Sequence, residues 1–291
     1  MDIVLHAGAH CTDEDRLVKC LLKNKELLLG RGTSVPGPSR YRRKLRDAVQ
    51  AAAQSAPDAD SREVLLGDIL QDDGVTRILL SNDNFFGVPR IAVADGAIYP
   101  RAEARLADLR ALFPGDRLTL ALGLRNPATF LPALHAEAPE GSFDDFLAGT
   151  DPATLRWSEL VERLRAAHPG VELILWCNED TPFIWAEIVR ALGDLPEGSK
   201  ITGGFDLLSE IMSREGMRRF RSYMADHPVM TDRQKRRVIA AFLDKFALPD
   251  AVEEELDLPG WDAAYVEALT ARYDQDIALI ASRPDVRFLS A

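Results

Sequence analysis

Cysteine is scarce in this sequence: Cys11, Cys20 and Cys177 are the three among 291 residues. They are too few and too scattered for a disulfide framework, and no C-x-x-C spacing suits zinc. A small odd count points to a reducing compartment, so a cytoplasmic protein is expected. No run approaches the roughly 18 apolar residues of a membrane span. The amino terminus has neither the basic start nor the long apolar stretch of a signal peptide, so none is expected. Positive charge is in deficit as well. Lys and Arg number 35 against 46 Asp and Glu, a net charge of −11, which argues against nucleic acid as a partner. The five histidines show no H-x-x-x-H or H-E-x-x-H spacing, so no metal site is expected. Neither a G-x-S-x-G elbow nor a G-x-G-x-x-G turn after a strand is present.

What is present is alternation. Hydrophobic residues make up 46% of the chain, enough for a large core. Apolar runs of strand length recur at Asp2–His6, Thr76–Ser81, Arg117–Leu124, Val171–Cys177 and Val286–Leu289. Between them lie helix-period segments, clearest at 16–29, 41–54, 101–112, 155–167 and 181–192. The pattern predicts an α/β fold, a three-layer αβα arrangement on a mainly parallel sheet of about five strands. After Gly203-Gly204 the pattern changes, with helices expected over 205–224, 232–246 and 261–281 and an acidic linker at Glu253-Glu254-Glu255 before Pro259. The expected division is residues 1–199 as the α/β domain and 200–291 as a helical lobe packed on it.

The first 32 residues are the most informative. Asp2–His6 reads as a buried strand, residues 7–15 as a turn, and 16–29 as an amphipathic helix stopped by Gly30. A strand, a small-residue turn and a helix N-terminus form the usual architecture for holding a phosphate. This turn, however, lacks the lysine and late glycine of a phosphate cradle and carries Asp13, Glu14 and Asp15. Acidic residues also suit the first turn of any helix, so Asp13 as N-cap accounts for them without a ligand.

At this turn the chain resembles the bacterial sulfotransferase family, whose members open with a strand, a turn like G-x-H-K-T-G-T-S/T, and a helix. Gly8-Ala9-His10-Cys11-Thr12-Asp13-Glu14-Asp15 aligns with it without a gap. Gly8, His10 and Thr12 match. Cys11 stands where the lysine belongs, Asp13 where the glycine belongs, and Glu14 and Asp15 replace hydroxyl residues. The resemblance covers roughly residues 2–190 and implies a P-loop sulfotransferase-like fold. It also implies a donor site for 3′-phosphoadenosine 5′-phosphosulfate (PAPS) at Gly8, His10, Cys11 and Thr12. The family's second donor site is an arginine ending the third strand and a serine on the next helix, which together hold the 3′-phosphate. Arg125-Asn126-Pro127 is similar to its R-x-P, while the serine position falls near Ala133, with Thr129 the hydroxyl closest to it. The carboxylate after the family's second strand corresponds to Asp83, the expected acid–base residue, with His10 second. Asn178-Glu179-Asp180 matches an acidic pair after the fourth strand, which could orient an acceptor or cap the helix near Pro182.

The replacements at this turn have a physical cost. A cysteine cannot supply the lysine's charge on the transferring group. Two or three carboxylates within about 5–8 Å of a phosphosulfate repel it by roughly a kcal/mol or more each. The sequence therefore predicts a sulfotransferase-like protein with a degraded PAPS site, serving as a non-catalytic binding or regulatory scaffold for a small molecule, a glycan or a protein. The alternative is an active enzyme with PAPS as co-substrate, moving a sulfuryl group to a hydroxyl or amine of a carbohydrate-like acceptor. Asp and Glu oxygens would also suit a bridging Mg²⁺. Basic clusters at 40–46, 218–221 and 233–237 read either as solvated helix faces or as a wall that recruits an acidic acceptor.

Overall fold

The computed structural model describes residues 1–138, 141–252, 258 and 260–291. The acidic stretch Glu253-Glu254-Glu255 and Pro259 lie outside the described residues. Six strands form one parallel sheet: β1 (Asp2–His6), β2 (Thr33–Ser34), β3 (Arg77–Ser81), β6 (Arg117–Leu124), β7 (Glu172–Cys177) and β8 (Arg287–Leu289), in the order β2-β3-β1-β6-β7-β8. A separate antiparallel hairpin joins β4 (Val93–Ala94) to β5 (Ala97–Ile98). The fold is α/β, with helices covering both sheet faces. The sheet exceeds the expected five strands because Thr33–Ser34, inside what reads as a Gly- and Pro-rich loop, adds a short edge strand beside β3.

Strands covered on both faces are apolar at most interior positions, which makes their runs legible. From β1, Ile3 and Leu5 join Ile78, Leu80, Leu120, Leu122, Leu173 and Leu175 in the larger core layer. Helices Pro38–Ala52, Ser61–Ile69, Ala102–Ala111, Pro127–Glu137, Trp157–Ala167 and Ala263–Ala281 contribute to that layer. Val4, Leu79, Ala121, Ile174 and Trp176 face the other way, toward helices Arg16–Lys23 and Thr181–Gly193. The helices following β1 and β6 thus lie on opposite faces of adjacent strands, so a crevice opens between their carboxyl ends.

Several helices depart from the periodicity. The expected helix over 16–29 stops at Lys23 and resumes at Lys25. Asn24 interrupts it: its amide donates to the Cys20 and Thr202 carbonyls at 2.8 Å and accepts the Thr202 N–H at 2.7 Å. The helix expected over 205–224 is two helices, Asp206–Ile211 and Arg214–Asp226, because Ser213 caps the second through the Gly216 N–H. Helix Pro127–Glu137 contains Pro132, which leaves the Ala128 carbonyl without its helical donor. The Trp261 indole N–H fills that vacancy at 2.8 Å.

Asp151-Pro152 starts only a 3₁₀ turn, Pro152–Thr154, rather than the following helix. That helix, Trp157–Ala167, is capped instead from a distant part of the chain. The buried Asp276 carboxylate accepts the Trp157 and Ser158 N–H groups at 2.7 and 3.2 Å. Asp276→Ala is expected to cost about 1–3 kcal/mol in urea unfolding, with Asp276→Asn recovering part of it. Equal stability of Asp276→Ala and the parent would refute the cap.

Beyond residue 200 the chain does two things. Leu208, Met212, Met217, Phe220 and Ile239 form a small helical core of their own. Helix Ala263–Ala281 and β8 return to the main body, the helix into the larger core layer and the strand to the sheet's edge beside β7. Among the described residues, no helix is long and apolar enough to cross a membrane.

Candidate functional site

The carboxyl ends of β1, β3, β6 and β7 carry Gly8, His10, Cys11, Thr12, Asp83, Arg125 and Glu179, whereas the basic clusters at 218–221 and 233–237 lie on helices of the small core beyond residue 200. The chain leaving β1 does not turn at once. Ala7 N–H and Ala9 N–H donate to the Ala121 and Gly123 carbonyls at 2.9 and 3.0 Å, continuing the ladder along β6. Gly8 has φ +90°, and a Cβ there would stand 2.9 Å from the His10 nitrogen, beside Asp83. Only glycine fits so close an approach at that φ. Cys11, Glu14 and Asp15 follow in left-handed conformations, which place the helix start at Arg16.

The polar groups of this turn are already engaged. Tyr99 is the hub, a residue the sequence did not signal. Its hydroxyl accepts the His10 backbone N–H at 3.0 Å and is hydrogen-bonded to His10 Nδ1 at 2.8 Å. The other ring nitrogen, Nε2, is buried without a well-formed hydrogen bond. Tyr99 itself has a left-handed φ of 48°. It is held there by its N–H to the Ala92 carbonyl at 2.7 Å, and Arg163 donates to its carbonyl at 3.3 Å. Phe86, Phe130 and Trp157 pack around its ring. Thr12 Oγ1 donates to the Ala9 carbonyl at 2.6 Å.

Arg125 crosses the crevice between β6 and the turn. It is 7% exposed, and its guanidinium donates to the Cys11 carbonyl and, through Nε, to Thr129 Oγ1 at 3.1 Å. The expected serine position, Ala133, plays no part in these bonds. The three carboxylates point in different directions. Asp13 accepts the Leu17 N–H at 3.0 Å, Glu14 pairs with Arg16 at 3.1 Å, and Asp15 pairs with Arg42. Asp15, not Asp13, occupies the N-cap position and all three carboxylates precede the first turn, yet Asp13 still accepts a first-turn N–H from two residues before the cap. Among the described residues no group of three or more His, Cys, Asp or Glu is disposed to hold a metal ion.

Burial sets the charge state of the turn. His10 and His6 are both held below the ordinary histidine range, burial outweighing the carboxylates near them. Asp13 and Asp83 oppose the shift at His6, and Asp83 and Glu137 oppose it at His10. His6 lies on the opposite face of the sheet, stacked on Trp176, with its Nδ1 2.8 Å from Ser81 Oγ. The Cys11 thiol is pushed far up by burial and then by the Glu137 carboxylate, so it stays protonated. The Tyr41 hydroxyl, pushed up to about 12 by burial, bonds both backbone groups of Ser81 and closes the end of β3.

Asp83 opens the short helical turn Asp83–Phe86 after β3, and its carboxylate accepts from Asn84 Nδ2 at 2.7 Å. It is half-buried, whereas the His10 ring is fully enclosed, so of the two expected acid–base residues only Asp83 reaches solvent. Glu179 does not cap the helix near Pro182. Its carboxylate accepts the Asn126 N–H and contacts the Tyr273 hydroxyl, both at 2.8 Å, tying β6 to helix Ala263–Ala281. Comparison of the chain with models of known families, with curated proteins and with solved structures finds no match.

Proposed function

We propose that this is a sulfotransferase-like cytoplasmic protein whose donor site is filled by its own groups, so that it binds or regulates without transferring a sulfuryl group. One observation carries the reading. The His10 N–H, which a phosphate cradle would present outward, is spent on Tyr99, and Arg125, the expected 3′-phosphate ligand, donates to the Cys11 carbonyl. The engaged Ala7 and Ala9 amides support it, as does the neutral Cys11 in the lysine position. An anion would have to displace these bonds with no new cation in return.

Its partner on this reading is a small molecule, a glycan or a protein. Calorimetric titration with 3′-phosphoadenosine 5′-phosphate (PAP), with and without Mg²⁺, is expected to give no heat up to millimolar ligand. Micromolar binding that Arg125→Ala weakens would overturn the proposal. That outcome would favour a second reading, for which the Arg125–Thr129 pair speaks: a guanidinium and a hydroxyl kept side by side at the end of β6. On it the protein is a PAPS-dependent enzyme acting on a carbohydrate-like acceptor, with Asp83 as base.

A further inference from the structure

A groove of about 770 Å³ lies beside the segment that leaves β3. Arg42, Arg43 and Arg46 from helix Pro38–Ala52 line it with Arg105 from helix Ala102–Ala111, and no carboxylate does. In a chain of net charge −11 this is an unusual concentration of positive charge. The arginines are only loosely neutralised from outside. Arg46 touches its neighbour Asp47 at 3.2 Å with both side chains mostly exposed, and Arg105 stands 3.9 Å from Asp108. Arg42 is the firmer case, paired with Asp15. Arg43 has no ion-pair or hydrogen-bond partner among the described residues. Exposed pairs of this kind exchange readily for a better anion.

The rest of the lining is mainly apolar, with Gln50, Asn82 and Asn84 its uncharged polar side chains. Leu45, Val49, Phe85, Ile91 and Leu109 line the groove, and Val88 reaches solvent at 52% exposure. An inorganic anion has no use for that surface, and an uncharged apolar molecule has none for the arginines. The volume falls in the range of small-molecule sites. A phosphate monoester presents three oxygens and up to two charges, which several guanidiniums can meet together.

We propose that this groove binds one small amphiphile, an apolar chain or ring carrying a phosphate head, with Arg43, Arg46 and Arg105 at the head and the Phe85 and Ile91 side chains against the body. The lining includes none of Gly8, His10, Cys11, Thr12 and Arg125, although Asn82 and Asn84 on either side of Asp83 belong to it, and the proposal stands whether or not the donor crevice binds nucleotide.

The test is calorimetric titration of the full chain with octyl phosphate below its micelle concentration. Saturable one-to-one binding is expected, weakened by added salt. Inorganic phosphate and octyl glucoside should each bind at least tenfold more weakly. The double variant Arg43→Glu/Arg46→Glu should lose at least tenfold in affinity with its thermal midpoint unchanged. Val88→Glu, at an exposed position, should weaken binding independently should the double variant fail to fold. No binding up to millimolar octyl phosphate would overturn the proposal. So would unaltered affinity in the variants, or octyl glucoside binding as tightly. PAP at millimolar concentration should leave the titration unchanged. PAP binding that is sensitive to Arg125→Ala would defeat the loss of the donor site and leave the groove standing.

Discussion

Tyr99→Phe is expected to lower the unfolding free energy by about 2–4 kcal/mol, although it removes a single oxygen atom. That oxygen lies 3.0 Å from the His10 nitrogen and 2.8 Å from Nδ1, and both residues are fully enclosed. Without it a buried N–H loses its acceptor and a buried ring nitrogen loses its hydrogen-bond partner. Each such orphan costs about 1–3 kcal/mol, because no water reaches the site to replace the bond. The ring stays in place against Phe130 and Trp157, so the loss is one of polar pairing rather than of packing. Urea unfolding of the two proteins measures it. A difference below about 0.5 kcal/mol would show that the turn does not depend on Tyr99.

Stability should also fall as the solution is acidified from pH 7, beginning near 6.5, the ordinary histidine value. The sign follows from linkage. His6 and His10 are held below that value in the fold, so below it the unfolded chain binds more protons than the folded one, and each proton favours unfolding. The loss steepens toward about 1.4 kcal/mol per pH unit for each histidine and ends where the folded-state values are reached. Carboxylates held low by pairing act in a different window. Burial works against the shift at Asp116, but Arg62 and the amino terminus outweigh it. Burial likewise opposes the shift at Asp232, where Lys235 and Arg190 prevail. Their contribution is complete above the ordinary carboxylate range and is lost only in stronger acid. Asp180, pushed up by burial, acts in the opposite sense and takes back part of the loss. Urea midpoints between pH 7.5 and pH 5 should therefore decline, and His6→Gln should make the decline shallower. A flat profile in both proteins would mean that the two rings are protonated without cost.

Much of the frame was legible in the chain. Asp2–His6 and Arg117–Leu124 have the strand boundaries their apolar runs predict, and β3, β7 and β8 begin one residue later than expected. A strand buried on both faces records its environment in its own residues, whichever strands it pairs with. The helix Asp232–Phe246 was equally plain, its start fixed by the Thr231–Gln234 capping box. Local composition also made the turn after β1 the place to look, since Gly8 is required by a backbone approach that involves its near neighbour His10.

The tertiary structure alone decided what that turn does with its polar groups. Tyr99 is 89 positions from His10, and Arg125 is 114 from Cys11. No periodicity links residues so far apart, and a tyrosine before a proline carries no mark of the partner it will meet. The same separation hid the Asn24 bonds to Thr202 that break the first helix, and the Asp276 cap on Trp157. Sequence determines which groups exist and which segments are strand or helix, because those depend on near neighbours. Whether a buried donor faces a ligand or another side chain depends on what the folded sheet brings across from distant parts of the chain.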